Sequence, residues 1–475
     1  MNIDWKNFSW ENIKKKIDWK IALCCAAILL TGVTLFFVII GGGGQTGVLG
    51  KDDITQNVST SDTSNYKYVT DYLNAWGIRN IDIDKIVYFE KIYHAYYGYA
   101  GGMPDAFDHA KQIAEIFLSE YYDVINLDDS AAVTDAILTC YAETVADPYS
   151  IYRVPEKTDD YNTDMSGKFG GIGVQVLIDR EAKTITVDSV FIDSPSDKVG
   201  VKAGDIIYSV DGRTVAELGV NNVVNHMRGD VGTSVNIVVK RGEELISFNI
   251  TRDIIVEISV SHEILEGNIG YVRISTFKDN TYAQFVESID ALEAAGVKGV
   301  IFDVRLNSGG YVHTVRDMIS YLIPNGHTIV SYQYQNQLPT VIKSQDDVHP
   351  TKKNADGTAL IEDHVLNVPM VVLCNEGTAS SAEIFTSAIR DYRDEGLLTA
   401  KIIGMTTYKK GIMQGTYPYT DGSSATFTVA YYNPPCGVNY HGVGIVPDIE
   451  IQNTETEDLQ YNKALEEIKI LINAN

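Results

Sequence analysis

The stretch "VPMVVLCNEGTASSAEIF", Val368 to Phe385, joins an apolar run of strand length to a sequence with helical character. Small and polar residues separate the two parts, as in a tight turn between a buried strand and a helix. Such a turn places a hydroxyl at the positive end of a helix, near backbone N–H groups that can hold an oxyanion. Thr378 and Ser380 are also ordinary helix-capping residue types. Taken alone, residues 375–385, which we call the serine segment, fit either a nucleophile or a helix cap.

A second stretch, "GMTTYKKGIMQG" at residues 404–415, supplies a candidate base, and we call it the lysine segment. A serine nucleophile needs a partner that takes its proton. A lysine in an apolar, tightly turned setting can be kept neutral by desolvation and can then accept that proton. Lys410 is such a lysine, and Gln414, four residues further on, can orient its amine. The two segments together favour a nucleophile over a cap.

Apolar strands alternate with helical segments from residue 269 onward, which predicts an α/β core at residues 256–475. Strands are predicted in "IGYVRISTF", "VKGVIFDVR" and "LTAKIIGMTT", and helices in "TYAQFVESIDALEAAG" and "NSGGYVHTVRDMISYLI". A polar insert is predicted near residues 344–364. An amphipathic helix, "ETEDLQYNKALEEIKILINA", ends the chain.

Residues 167–255 have a different pattern, in which glycines open an alternating strand, "GVQVLI", and "AGDIIYSVDG" follows. "ELGVNNVVNHMRGD" is predicted to form one helix, and "TSVNIVVKRGEELISFNITRD" a closing hairpin. This order resembles a PDZ domain of the bacterial type. A glycine-rich turn at the head of a strand exposes N–H groups that can hold a C-terminal carboxylate while a peptide adds to the sheet edge. The resemblance implies a peptide site at Gly171, Ile172, Gly173 and Val174, whereas in a simpler interpretation these glycines only turn the chain.

The N-terminal part of the chain predicts a membrane anchor. Residues 21–40, "IALCCAAILLTGVTLFFVII", carry no charge over about the length that crosses ~30 Å of hydrocarbon. Lysines crowd residues 1–20, so the positive-inside rule places that segment in the cytoplasm and the body of the chain outside. A cleaved signal peptide would need a shorter apolar core and a cleavage site. A lipoprotein signal would need a cysteine after the apolar run, but Cys24 and Cys25 lie near its start. We therefore predict an uncleaved, single-pass anchor in the cell membrane.

Two segments lie between the anchor and the PDZ-like unit, and their patterns indicate a spacer followed by a packed helical region. Residues 41–80 are rich in Gly, Ser, Thr, Asn and Asp and predict a flexible linker. Residues 81–166 repeat apolar positions at helical spacing, most clearly in "AFDHAKQIAEIFLSEYYDVI" and "SAAVTDAILTCYAETV". We expect this helical region to serve packing or dimerisation and not chemistry. Together with the C-terminal helix, it is compatible with a homodimer.

Composition excludes several classes of function. A formal net charge of −25 argues against a nucleic-acid partner, since phosphate binding requires a basic face. Five cysteines without a CxxC pair fit neither a disulfide framework nor a zinc site. Nine scattered histidines include no HExxH metalloprotease motif.

Four motifs together resemble the carboxy-terminal processing (tail-specific) serine peptidases. "NEGTASSAEI" is similar to their N-x-G-[ST]-A-S-A-S-E-I nucleophile motif, and "TTYKKGIMQ" to their T-[FY]-G-K-G-x-x-Q base motif. "FDVRLNSGG" resembles their D-x-R-x-N-x-G-G turn, and "GVGIVPD" their closing signature. The match runs in order from about residue 81 to residue 475, with the PDZ domain between helical region and core. It implies a serine peptidase core of the ClpP/crotonase-like type.

Carried over residue by residue, the resemblance implies a nucleophile at Ser380, a general base at Lys410 and a partner of that base at Gln414. It implies an oxyanion hole made by the backbone N–H groups of Gly310 and Ser381. No metal ion or organic cofactor is required by this chemistry.

The chain departs from the family pattern at several positions. Lys409 stands where the family usually has glycine, and strand alternation predicts that its side chain points away from Lys410. Ser381 takes the place of the family's alanine, and we expect its backbone N–H to matter and not its hydroxyl. "NPPCGVNYHG" replaces a more usual P-S-G-R-x-I turn. Nucleophile, base and partner are all present, so we expect activity.

Arg228 lies in "HMRGDVG", where relatives commonly carry an arginine between the PDZ helix and the final hairpin. We predict that Arg228 couples peptide binding in the PDZ domain to the alignment of Ser380 and Lys410. The simpler alternative is a solvated arginine at a helix end.

The sequence thus predicts a membrane-anchored, extracytoplasmic serine endopeptidase that captures exposed protein C-termini and cleaves peptide bonds. A catalytically inactive PDZ adaptor is the main alternative, although an adaptor has no need of Ser380, Lys410 and Gln414. A structural ligand-binding α/β protein would leave both the lysine segment and the PDZ domain unexplained.

Overall fold

A computed structural model describes residues 69–71, 73–74, 78–96, 106–145, 147–334 and 337–474 of the chain. The predicted cytoplasmic segment and anchor, residues 1–40, lie outside the described residues, as does most of the predicted linker. Among the residues that are described, no helix is both long and apolar enough to cross a membrane.

In the described part of the helical region, the chain forms four helices and one short strand. They are α1 (Ile83–Tyr96), α2 (Ala106–Glu120), α3 (Ser130–Thr144), β1 (Ile151–Arg153) and α4 (Pro155–Ser166). Asp129 begins α3 as its N-cap, because its carboxylate accepts hydrogen bonds from the N–H groups of Ala131 and Ala132.

The PDZ-like unit is built on a twisted antiparallel sheet. Its elements are β2 (Lys168–Gly171), β3 (Val174–Asp179), β4 (Thr184–Val190), α5 (Pro195–Val199), β5 (Ile206–Val210), β6 (Arg213–Thr214), α6 (Val215–Leu218), α7 (Val220–Met227), β7 (Ser234–Arg241), β8 (Glu244–Thr251) and β9 (Asp253–Val256). The strand order β3-β4-β5-β7-β8 makes β3 an edge strand, and β2 pairs with β9 where the chain enters and leaves. The prediction of one continuous helix is wrong. Gly219, with a φ of 77°, breaks it into α6 and α7, because a left-handed residue cannot continue a right-handed helix.

The α/β core follows. Its elements are β10 (Val260–Leu265), β11 (Ile269–Ile274), α8 (Thr281–Ala294), β12 (Gly299–Asp303), α9 (Val312–Ser320), β13 (Thr328–Gln333), β14 (Thr340–Lys343), β15 (Asp347–Lys353), β16 (Ala359–Glu362), β17 (Met370–Cys374), α10 (Ser381–Asp394), β18 (Ala400–Gly404), β19 (Ile412–Pro418), β20 (Ser424–Asn433), β21 (Ile449–Glu450) and α11 (Leu459–Ala474). The predicted polar insert contains an antiparallel hairpin, β15–β16.

A six-stranded sheet, ordered β10-β11-β12-β17-β18-β21, forms the centre of the core. All neighbouring pairs except β10–β11 are parallel. Residues of α8, α9 and α10 pack on one face and residues of α11 on the other, so β12 and β17 are buried along their whole length. The carboxyl ends of β12, β17 and β18 lead into residues 303–310, which we call the glycine turn, and into the serine and lysine segments. Three distant motifs therefore meet at one edge of the sheet.

A second sheet, β1-β20-β13-β14 with β19 paired to β20, connects the core to the helical region. Residues of β19 and β20, among them Phe427 and Val429, share one apolar cluster with Phe89 of α1 and Tyr141 of α3. The ring centroids of Phe89 and Phe427 lie 5.0 Å apart. The helical region is thus packed against the core, and the chain that follows α3 runs beside the lysine segment.

Candidate active site

The serine segment turns sharply at Ser380, the residue before α10. Its φ of 55° and ψ of −119° are values that a residue with a side chain adopts only under constraint. Strain at a strand-to-helix turn is the geometry that exposes a nucleophilic hydroxyl in serine hydrolases. Ser380 is half-buried, and its Oγ lies 3.0 Å from the Oη of Tyr432.

Thr378 fixes the turn from the inside. Its Oγ1 donates to the carbonyl oxygen of Val304 (2.9 Å) and accepts from the N–H of Asn375 (2.9 Å). Ala379 N–H donates to the carbonyl oxygen of Asn307 at 2.9 Å. These bonds join the serine segment to the glycine turn, so Thr378 is a supporting residue.

The glycine turn lies directly against Ser380. Gly309 has a φ of 104°, and a Cβ at this position would stand 2.7 Å from the Cβ of Ser380. Asn307 holds the turn, since its Oδ1 accepts from Gly309 N–H (2.9 Å) and its Nδ2 donates to Ile274 O (3.0 Å). Only glycine permits this approach of backbone to nucleophile.

The two predicted oxyanion donors follow the residues of this contact: Gly310 comes after Gly309, and Ser381 comes after Ser380. In the part of the chain that the structure describes, neither Gly310 N–H nor Ser381 N–H donates a hydrogen bond. Ser381 Oγ donates to Gly310 O at 2.7 Å. The hydroxyl of Ser381, to which the sequence assigned no role, thus ties the start of α10 to the glycine turn.

Lys410 reaches the same site from the lysine segment. Burial lowers the pKa of its ammonium, while the negative charges of Asp147 and Glu383 act in the opposite direction. Its Nζ lies 4.3 Å from the centroid of the Tyr149 ring, a cation–π distance. No hydrogen bond joins Lys410 to Ser380 Oγ within the described residues. The two residues share one site, with the amine held on Tyr149.

Glu383 connects the serine and lysine segments. Burial raises the pKa of its carboxyl, and the hydrogen bonds that it accepts counteract this effect. The donors are Thr407 Oγ1 (2.5 Å), Lys409 N–H (2.8 Å), Lys410 N–H (2.8 Å) and Ser380 N–H (3.0 Å). One buried carboxylate therefore sets the position of the Lys410 backbone relative to Ser380. Across the described ranges, no three or more His, Cys, Asp or Glu side chains are arranged to hold a metal ion.

Lys409 lies in an irregular loop, so the strand alternation on which the direction of its side chain was predicted is absent. Its φ is 83°, in the region that favours glycine, and its side chain is exposed. The geometry thus gives a physical reason for a glycine at this position.

Gln414 lies in β19, where the pairing with β20 shifts by a bulge. Its Nε2 donates to Thr428 Oγ1 at 3.2 Å. No described hydrogen bond joins Gln414 to Lys410, so the structure does not bring this predicted pair together.

Three residues at the site were missed by reasoning from sequence: Tyr432, Tyr149 and Glu383. Tyr149 lies within residues 81–166, after α3, so this region contributes a contact to the candidate site as well as packing. The alternating pattern of β20 reveals a strand but not which tyrosine faces Ser380. Of the three, only Glu383 could have been predicted from sequence. It lies three residues after Ser380, and an acidic residue at that position of a helix commonly accepts from the backbone N–H of the N-cap residue.

The predicted peptide-binding residues lie at the head of β3. Gly173 has a φ of 78°, and a Cβ there would stand 2.3 Å from Ser194 Cβ. The carbonyl oxygens of Ile172 and Gly173 accept from Ser196 N–H and Phe191 N–H. Gly171 ends β2, and Val174 begins the edge strand β3. The loop depends on the positive φ of Gly173, and it leads into the edge strand β3, to which a peptide can add as a further strand.

Arg228 lies at the C-terminal end of α7 and is exposed. Its guanidinium stands 4.2 Å from the ring centroid of Phe169, in the strand through which the chain enters the PDZ-like unit. The described contacts of Arg228 therefore reach the junction and not Ser380 or Lys410.

Comparison with known proteins identifies a family for the α/β core and for the PDZ-like unit. The model for "Peptidase family S41" matches residues 268–451, and the model for "PDZ domain" matches residues 186–241. The carboxy-terminal processing protease CtpA of Bacillus subtilis is 32% identical over 356 residues, which are 75% of this chain and 71% of that protein. The chain belongs to peptidase family S41.

Membership in family S41 makes the chain a serine-type endopeptidase with a PDZ domain. A probable CtpA-like serine protease of Staphylococcus haemolyticus is 30% identical over 360 residues, covering 76% of this chain and 68% of that protein. The solved structure of the photosystem II D1 C-terminal processing protease has 23% identity and a TM-score of 0.44, and the alignment covers 86% of this chain and 97% of that one.

Proposed function

We propose that this chain is a membrane-anchored C-terminal processing endopeptidase in which Ser380 and Lys410 form the catalytic pair. The observation that carries this proposal is the position of Ser380, strained at the start of α10, against Gly309 and tied through Glu383 to Lys410. A core of the ClpP/crotonase-like type belongs to the same proposal.

The geometry supports acyl transfer through Ser380. Neutral Lys410 takes the Oγ proton as Oγ attacks the scissile carbonyl, and the ammonium then gives that proton to the leaving amine. A water molecule hydrolyses the acyl-enzyme with Lys410 again relaying the proton. The N–H groups of Gly310 and Ser381 hold the oxyanion. In the reacting state the Lys410 amine leaves the Tyr149 ring, and Gln414 turns from Thr428 to the amine.

Recognition of the substrate is assigned to the PDZ domain. A peptide adds to the open edge of β3, and its terminal carboxylate meets the backbone of residues 171–174. Arg228 transmits this event through Phe169 to the junction with the core. The uncharged residues 21–40 support a single-pass anchor with the catalytic domain outside the cytoplasm. The name of the B. subtilis relative supports C-terminal substrates.

The test is cleavage of a denatured protein with an apolar C-terminal tail by the full-length chain. We expect Ser380→Ala and Lys410→Ala to abolish cleavage, while Ser381→Ala, which removes the neighbouring hydroxyl, still cleaves. Undiminished cleavage by Ser380→Ala would refute the assignment. Loss of cleavage in Ser381→Ala together with full activity of Ser380→Ala would move the nucleophile by one residue.

A further inference from the structure

The hydroxyl of Tyr432 contacts both parts of the proposed catalytic pair. Its Oη lies 3.0 Å from Ser380 Oγ and 3.0 Å from the carbonyl oxygen of Lys410. Tyr432 lies near the C-terminal end of β20, an interior strand of the second sheet, and its side chain is buried. Tyr432 lies outside the four motifs that resemble those of the family.

The position of Tyr432 is fixed by its own backbone. Its N–H donates to Gly411 O at 3.2 Å, and its carbonyl oxygen accepts from Asn439 Nδ2 at 2.8 Å. Asn439 Nδ2 also donates to Gly411 O at 3.1 Å, so strand and lysine segment are joined on this side. The ring of Tyr440 packs beside that of Tyr432, with centroids 6.2 Å apart. A hydroxyl held in this way is preorganised toward the nucleophile.

A phenol carries one proton, and Tyr432 has two acceptors within reach. When that proton points to the Lys410 carbonyl, Ser380 Oγ–H can donate to Tyr432 Oη. When Ser380 loses its proton, Oγ becomes the stronger acceptor, because hydrogen bonds to charged groups exceed those to neutral carbonyls. The Tyr432 proton then turns to Oγ. The interaction is thus stronger when charge is present on Oγ, which is the requirement for a contribution to rate.

Tyr432 retains its proton in this environment. Burial raises the pKa of its phenol, the hydrogen bond with Ser380 acts in the opposite direction, and the charge of Glu383 adds to the rise, so the net shift is upward. The residue therefore serves as a donor and not as a base, and Lys410 keeps the role of proton acceptor.

We propose that Tyr432 is a further catalytic residue, whose Oη–H stabilises Ser380 Oγ as this oxygen gains and releases the acyl group. The proposal rests on the function proposed for Ser380 and Lys410. In acylation the Oγ–H bond breaks, the proton passes to Lys410 Nζ and the Oγ–C bond forms; the scissile C–N bond then breaks as Lys410 gives that proton to the leaving amine. In deacylation water gives a proton to neutral Lys410 as its oxygen adds to the acyl carbon, the C–Oγ bond breaks, and the departing Oγ is held by Tyr432 until Lys410 passes that proton to it. Tyr432 gains and loses no proton.

The test is Tyr432→Phe in the full-length chain, which removes Oη alone. Tyr392→Phe is the matched control. Tyr392 is also buried and donates to a carbonyl oxygen, that of Thr328, but it lies far along α10 from Ser380. With a fluorogenic peptide, we expect Tyr432→Phe to lower kcat about 10- to 100-fold, the effect of one hydrogen bond to a charged group. KM and the melting temperature should follow the Tyr392→Phe control, because binding and folding do not depend on charge at Oγ.

The possible outcomes separate this proposal from the proposed function. A kcat of Tyr432→Phe within twofold of wild type, or above it, together with an inactive Ser380→Ala, overturns the role of Tyr432 alone. An active Ser380→Ala overturns both. If Tyr432→Phe does not fold, 3-fluorotyrosine at position 432 keeps the ring and strengthens the donor, and it should raise the deacylation rate. An unchanged or lower deacylation rate then refutes the proposal.

Discussion

Glu383→Gln is the substitution that examines the connection between the two catalytic segments. It keeps the shape of the side chain and replaces one carboxylate oxygen by an NH₂ group, which cannot accept a hydrogen bond. In the structure Oε1 accepts hydrogen bonds from Thr407 Oγ1 and Lys409 N–H. Oε2 accepts from Ser380 N–H and Lys410 N–H.

The hydrogen bonds set the size of the effect. The Thr407 hydroxyl can rotate to accept from the new NH₂ group, so the amide nitrogen best takes the place of Oε1. Lys409 N–H then loses its acceptor, and so does the buried Thr407 O–H, and each buried unsatisfied donor costs about 1–3 kcal/mol. The neutral amide avoids the desolvation that raises the pKa of Glu383, so we expect the lower end of this range. Glu383→Ala leaves three backbone N–H groups without an acceptor and should lower the free energy of unfolding by roughly 3 kcal/mol or more.

Activity should fall further than stability. A shift of about 1 Å between Lys410 and Ser380 costs on the order of 100-fold in rate, so we expect kcat to drop about 10- to 100-fold while KM stays near wild type. Thermal unfolding and peptide cleavage by the full-length protein measure both quantities. The control is Asp391→Asn, which changes another buried acid of α10 away from Ser380 and should leave kcat near wild type. If Glu383→Gln matches wild type in both melting temperature and kcat, Glu383 does not position the pair.

Further predictions concern neighbouring residues. Lys409→Gly removes a side chain from a φ of 83° and should stabilise the fold by up to about 1 kcal/mol, seen as a higher melting temperature; a lower one would contradict the strain. The acid limb of the kcat/KM–pH profile should lie below the pKa range of an ordinary lysine, because burial lowers the pKa of Lys410 and the neutral amine is the active form. Asp147→Asn removes a charge that raises this pKa and should move the limb to lower pH, so movement to higher pH would refute the assignment. Ser381→Ala loses the bond to Gly310 O, and kcat should fall several-fold at a stability cost of about 1 kcal/mol, whereas wild-type kcat would show that this hydroxyl is not needed.

The sequence predicted those parts of the fold that depend on local pattern. Buried strands such as Met370–Cys374 and the turn into α10 follow from apolar runs and small residues. It failed where backbone conformation departs from the regular period, as at Gly219 and Lys409, since alternation and helical spacing assume unbroken elements.

The candidate site was predictable only in part, for a related reason. Ser380 and Lys410 belong to short motifs, whereas Tyr149 and Tyr432 reach Lys410 and Ser380 from distant parts of the chain. A tyrosine in an alternating strand shows only that it belongs to a sheet, because register and packing decide which residue it faces. The direction of the Gln414 side chain, whose amide donates to Thr428, likewise depends on a bulge in β19 that no local sequence pattern predicts.

The most direct measurement of the central claim is the site of covalent modification by a fluorophosphonate, a reagent that reacts with activated serine hydroxyls. The labelled full-length protein is digested and the adduct is located by mass spectrometry. We predict an adduct on Ser380, none on Ser381, slower labelling in Lys410→Ala and no labelling in Ser380→Ala. An adduct on another residue, or labelling that persists in Ser380→Ala, would contradict the account.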